Sequence, residues 1–219
     1  MIKKYHYKTL RDKGFGEHRD KGSRFFAHAF HVENQEQINK YLDEIKKSHS
    51  KASHHVYAWR LGLEGISFRA NDDGEPSGTG GRPILGQIDR VELTNALVVV
   101  TRYFGGTLLG TSGLINAYRH AAALAIEDSG IIEKELSDYY RFTCDYTHMP
   151  LIMDAAKKNH LQIIAQKFGA VCELTIQFPQ LTWKDNLIEF IAGALNLRKD
   201  QVAAEALSPQ LIWEFMGSW

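Results

Sequence analysis

The chain has 219 residues, 44% hydrophobic and 24% charged, a balance that excludes a disordered polymer and lets one large or two small domains bury a core without a metal or disulfide staple. Formal net charge is zero but unevenly spread: the first 60 residues carry 13 Lys and Arg against 7 Asp and Glu, whereas residues 61–136 carry 6 against 10. A polyanion would therefore be met by the amino-terminal part, or those lysines simply coat exposed turns and helix faces.

No apolar run reaches bilayer length, and Lys3, Lys4 and Lys8 lead into no apolar segment, so neither a membrane helix nor an export signal is expected. Cys144 and Cys172 have no metal-ligand or CxxC spacing, and reduced, buried thiols in a cytoplasmic protein are expected.

In chain order, residues 1–21 are polar and glycine-punctuated, predicting a frayed start that leads into a hairpin. The aromatic run from Ser23 to Val32 predicts a strand. Ile38, Tyr41, Leu42 and Ile45 share one face of a helix over 34–48, with Asn34 as its cap and Gln37 completing a capping box. Strands are predicted over 54–60 and 65–69, and a short helix is predicted to start at Pro83, whose fixed φ suits a first helical position. Leu97 to Val100 read as a central strand covered on both faces. An alanine-rich helix follows, capped by Thr111 or Ser112 and ended by Gly130.

Beyond residue 135 the pattern changes to strand 136–146, helix 150–159, strands 161–168 and 171–178, helix 181–195 and a weaker strand 201–207. This β-α-β-β-α-β order predicts a ferredoxin-like second domain. The tail Leu211–Trp219 is rich in apolar residues that need a surface to cover them.

The chemistry-bearing stretch runs from Asn71 to Ala125 and holds nine of the 18 glycines, so the backbone bends or approaches something closely at two successive elbows. Gly110 to Gly113 precede a helix, where free amides and the helix field suit a phosphate; glycines that merely permit a tight strand-to-helix turn read equally well. The Walker lysine and the GxGxxG spacing are both absent. Arg82 and Arg102 offer planar donor forks to a phosphate or an acidic partner, or else pair internally with Asp72, Asp73 and Glu75.

Adjacent His54 and His55 point to opposite sides of a strand, so they make a poor metal set with Asp72 or Asp73. Ser112 lies in GTSG rather than GxSxG, and nothing ties it to a histidine. No catalytic residue, cofactor or metal is assigned.

The segments KGSRFFAHA at 21–29, HHVYAWR at 54–60, NDDGEPSGTGGRPILGQI at 71–88 and VVVTRYFGGTLLGTSGLINAYRHAA at 98–122 resemble the amino-terminal domain of the IMPACT family over roughly residues 15–130. Many relatives have a contiguous KSRF, where this chain inserts Gly22. The resemblance implies an α+β protein of two domains: residues 1–135 like the second domain of ribosomal protein S5, and 136–219 ferredoxin-like, as in the last domain of elongation factor G.

The resemblance also implies a translational setting, since eukaryotic members regulate initiation by interfering with activation of a kinase. Asp73, Glu75, Arg102, Tyr103, Gly105 and Gly106 fall on the family's signature positions. Together with Arg82, Thr111 and Ser112 they form the expected ligand or partner surface. The expected partner is RNA, the ribosome or a translation protein, not a membrane; the alternative is an enzyme acting on a nucleotide or phosphorylated small molecule.

Overall fold

A computed structural model describes residues 6–62, 66–180, 183–199, 201–202 and 211–218. The chain divides into two compact α+β units, each with its own sheet. One spans His6–Lys134, and the other holds the chain from Glu135 onward.

The first unit is built on a five-stranded sheet in the order β2-β3-β6-β4-β5, formed by β2 (Gly14–Asp20), β3 (Ser23–His31), β4 (His54–Leu61), β5 (Ser67–Asn71) and β6 (Ala96–Tyr103), with every neighbour antiparallel. A short strand β1 (His6–Leu10) stands where a frayed start was expected, and it pairs with β7 (Ile131–Glu135). Asp20 faces Ser23 across the β2–β3 turn, so the loop is Lys21-Gly22; both have positive φ, the geometry a two-residue hairpin prefers.

Alternation along β6 explains its uninterrupted apolar character. Ala96, Val98 and Val100 face a core shared with helices α2 (Gly81–Arg90) and α3 (Gly110–Ser129). Leu97 and Val99 face α1 (Gln35–Ser48), where Ile38, Leu42 and Ile45 form the predicted stripe.

Two helix starts differ from expectation, and α1 starts on its expected Asn34 cap with a shifted capping box. The Asn34 side chain does accept from the Gln37 amide at 2.9 Å, but Gln37 returns its bond to the amide of Glu33, one residue earlier than in a standard capping box. Helix α2 begins at Gly81, two residues before Pro83, because the Asp72 carboxylate holds the amides that open it. Helix α3 begins at Gly110 with no side-chain cap, so Thr111 and Ser112 lie inside its first turn.

In the second unit, β8 (Ser137–Cys144), β9 (Gln162–Phe168), β10 (Cys172–Pro179) and β11 (Leu211–Ser218) form an antiparallel sheet in the order β11-β8-β10-β9. Helices α4 (Met149–Lys158) and α5 (Trp183–Leu195) contribute Ile152, Ala155, Phe190 and Ile191 to its single core. The predicted strand 201–207 is overturned where it can be judged. Gln201 and Val202 are helical, residues 203–210 lie outside the described chain, and the fourth strand is the apolar tail itself. An alternating apolar run fits a sheet edge better than the segment before it.

Cys144 and Cys172 are buried directly opposite one another in the β8–β10 register, and both are free thiols. Burial, then the neighbouring Cys172 and Asp145, push the Cys144 thiol up to about 11.

Candidate functional site

The two glycine elbows sit at the ends of β5 and β6. In the first, Asp72 organises the backbone: one carboxylate oxygen accepts from the amides of Gly80 and Gly81 at 3.0 and 2.8 Å, the other from Gly78 at 2.8 Å. Burial works against ionisation of Asp72, yet those three amides and the charge of Arg82 together hold its carboxyl below the ordinary range. The amino end of α2 is thus already filled by an internal anion.

Asp73 takes φ +44° in an exposed turn, and its carboxylate accepts from the His55 amide at 2.6 Å. Nδ1 of His54 donates to the Asp73 carbonyl at 2.7 Å. This turn swings Glu75 inward, where it is 8% exposed.

A single oxygen of Glu75 receives Arg102 Nη1 at 2.6 Å and the Tyr118 hydroxyl at 2.7 Å, with His54 Nε2 at 3.9 Å. Arg102 is itself 5% exposed, lies between the rings of Phe25 and Phe104, and reaches Ser23 Oγ at 3.5 Å. Among the described residues its Nε has no hydrogen-bond partner. Burial, followed by the charge of Glu75, pushes the Tyr118 phenol far above its usual range, so this hydroxyl is a fixed donor.

The second elbow is braced on the same cluster. Ser23 Oγ accepts from the Gly105 amide at 3.2 Å, and a Cβ on Gly105 would stand 1.9 Å from the Gly22 carbonyl carbon. The glycine inserted into the KGSRF segment is therefore where two backbones cross. Beyond that crossing the elbow opens: Gly106 has φ +83° with nothing around it, Phe104 is 49% exposed and Leu108 is 83% exposed.

The structure thus brings together only part of the expected surface. Glu75 and Arg102 meet and are buried against each other. Arg82 is exposed on α2 and acts on Asp72. Tyr103, one residue after Arg102 on the same strand, faces the other side of the sheet, where its hydroxyl lies 3.0 Å from His49 Nδ1. Thr111 and Ser112 are exposed in the first turn of α3.

Sequence reasoning missed Ser23 and Tyr118. A lone tyrosine among the alanines of a buried helix face that also holds Leu114 and Ile126 was a usable signal, because a buried phenol needs a hydrogen-bond partner. Among the described residues, no group of three His, Cys, Asp or Glu side chains is placed to hold a metal, and no helix is long and apolar enough to cross a membrane.

Residues 21–126 match the Impact N-terminal domain. The chain is 35% identical to the IMPACT family member YvyE of Bacillus subtilis over 70% of each protein, and 30% identical to YigZ of Escherichia coli over 81% of this chain and 89% of YigZ. The crystal structure of a hypothetical protein, 24% identical, shares the fold with a TM-score of 0.71 over 98% of this chain and 99% of its own. On these sequence matches, this chain belongs to the IMPACT family.

Proposed function

We propose that this protein is a non-enzymatic, translation-associated regulator of the cytoplasm that binds RNA, the ribosome or a translation protein. In this reading residues 1–135 form a domain like the second domain of ribosomal protein S5. Residues 136–219 form a ferredoxin-like domain akin to the last domain of elongation factor G, as their β-α-β-β-α-β order suggests.

The observation that carries the reading is the buried Glu75–Arg102–Tyr118 cluster. Arg102 Nη1, the Tyr118 hydroxyl and one Glu75 oxygen are spent on one another, so they rigidify the two elbows. What the elbows leave outside is Phe104, Leu108 and the open first turn of α3, a protruding tip on a fixed base. Exposed apolar residues on a rigid loop suit contact with a macromolecule.

The test is a crosslinked pull-down from the native cell with the wild type and with Leu108→Asp. Recovery of ribosomes, RNA or a translation factor by the wild type, reduced by Leu108→Asp, is expected. Recovery of none of them ends the proposal.

A second reading, an enzyme acting on a phosphorylated small molecule, draws on the uncapped amino terminus of α3, where Thr111 and Ser112 are exposed. It expects a nucleotide or sugar phosphate to raise the melting temperature and then to be turned over.

A further inference from the structure

The face of the first sheet that carries α1 is covered over only part of its length. Past the end of α1 the strands present aromatic rings in near-continuous contact. Phe15 on β2 stands 5.3 Å from His28 and 6.3 Å from Phe26, centroid to centroid, and Phe26 lies 5.7 Å from Tyr103. Phe15 is 48% exposed, far more than a core residue, and Phe26, His28 and Tyr103 are half-buried.

Cations are interleaved with these rings. The Arg24 guanidinium, which also pairs with Glu17 at 3.2 Å, sits 4.7 Å from the centre of Phe26, and the Lys13 ammonium 5.7 Å from that of Phe30. Beyond Phe30 lies a shallow depression where Arg11, Lys13 and Lys40 outnumber Asp12 and Glu33. At the opposite end Tyr103 leads directly into the open glycine elbow.

The solvent face of the second sheet has a different chemistry. There Glu214, Arg141, Glu173 and Lys167 alternate in sign, at 2.9 Å for Arg141 with Glu214, 3.9 Å for Arg141 with Glu173, and 3.5 Å for Lys167 with Glu173. That face has little net charge to offer a polyanion, whereas the first sheet pairs rings with cations that outnumber the nearby carboxylates.

We propose that the strip Phe15–Phe26–Tyr103, flanked by Arg24 and Lys13, is a stacking platform for single-stranded RNA. The proposal rests on the binding reading above and narrows it to one partner and one face. Bases stack on the exposed Phe15 ring and on His49, which lies stacked over Phe26 at 5.7 Å and extends the strip toward Tyr103, while Arg24 and Lys13 meet the phosphates between them. Stacking of this kind tolerates any sequence, because every base has a π-face.

The experiment is fluorescence anisotropy of the full-length protein with a labelled twelve-nucleotide oligouridine at 50 and 200 mM salt. Phe15→Ala should weaken binding about tenfold, and Phe15→Trp should retain it. Arg24→Ala should weaken binding and make its logarithmic salt slope shallower by about one. Arg141→Ala, on the polar sheet, should bind as the wild type does; Phe15 is half exposed, so its variants should keep the wild-type far-UV circular dichroism spectrum, which is the check that they fold.

RNA binding that is indifferent to both Phe15 variants would overturn the platform and leave the broader binding reading standing. No RNA binding, with a translation protein still recovered in the pull-down, would overturn the platform alone. Loss of both signals would remove both proposals.

Discussion

The two elbows of the first unit share a high glycine content and have opposite roles. In the first, Asp72 and Glu75 turn inward while Asp73 stays at the surface, and together they satisfy backbone amides, a buried arginine and a buried phenol. In the second, the N-cap residue Leu109 offers no side-chain hydrogen bond to α3, and Phe104 and Leu108 are left in solvent. Glycine density marks where a backbone must bend. Whether the bend is closed or open depends on whether a carboxylate of the right length lies within reach of the freed amides.

The sharpest way to break this contrast is to remove the carboxylate that joins the elbows. Glu75→Gln leaves the Arg102 guanidinium buried without its counter-charge and should cost about 3–5 kcal/mol in urea unfolding. A loss below about 1 kcal/mol would mean that the cluster does not brace the fold.

The crossing of Gly105 with Gly22 comes next. Gly105→Ala forces two backbones apart and should destabilise by about 3 kcal/mol, read as a shift in the denaturation midpoint at unchanged slope.

The third prediction separates the elbows from the opposite face of the sheet through pH. Burial, and after it the charge of His49, push His28 down to about 4. The unfolded imidazole, at about 6.5, therefore takes up its proton before the folded one does. Stability is complete above pH 6.5, falls as pH drops toward 4 by about 2 kcal/mol once the roughly 3.4 kcal/mol of the full shift is reduced for screening at this partly exposed ring, and levels off below 4. His28→Phe should flatten that segment of the pH–stability curve. Asp72, whose carboxyl is held low, should lose its contribution only as pH drops below the ordinary carboxylate range.

The smallest effect belongs to the open elbow. Gly106→Ala meets no atom, so only its positive φ resists, and about 1 kcal/mol is expected in the same assay. The ratio between the Gly105 and Gly106 variants measures directly how differently two adjacent glycines are used.

Much of the fold was legible in the sequence for local reasons. The 3.6-residue spacing of Ile38, Leu42 and Ile45 placed α1, and the run Leu97–Val100 identified a strand buried on both faces. The helix starts were less legible, because the group that caps α2 is nine residues away from Gly81 and no local signature announces it. The last strand was misplaced for a related reason: edge pairing with β8 selects the tail, while periodicity alone ranked the preceding segment as well.

The candidate surface was readable residue by residue but not as a constellation. Arg102 and Tyr103 are adjacent in sequence, and the pleat sends them to opposite faces, one into the Glu75 cluster and the other into the aromatic strip.

By itself the amino-acid sequence determined the family, the order of most strands and helices, and the two places where the backbone bends, since each is a local property of spacing, propensity or motif. Only the tertiary structure decided which acidic groups were spent on internal bonds and which rings were left beside cations in solvent. Those outcomes depend on distances between side chains far apart along the chain, and antiparallel pairing and helix docking bring such side chains together.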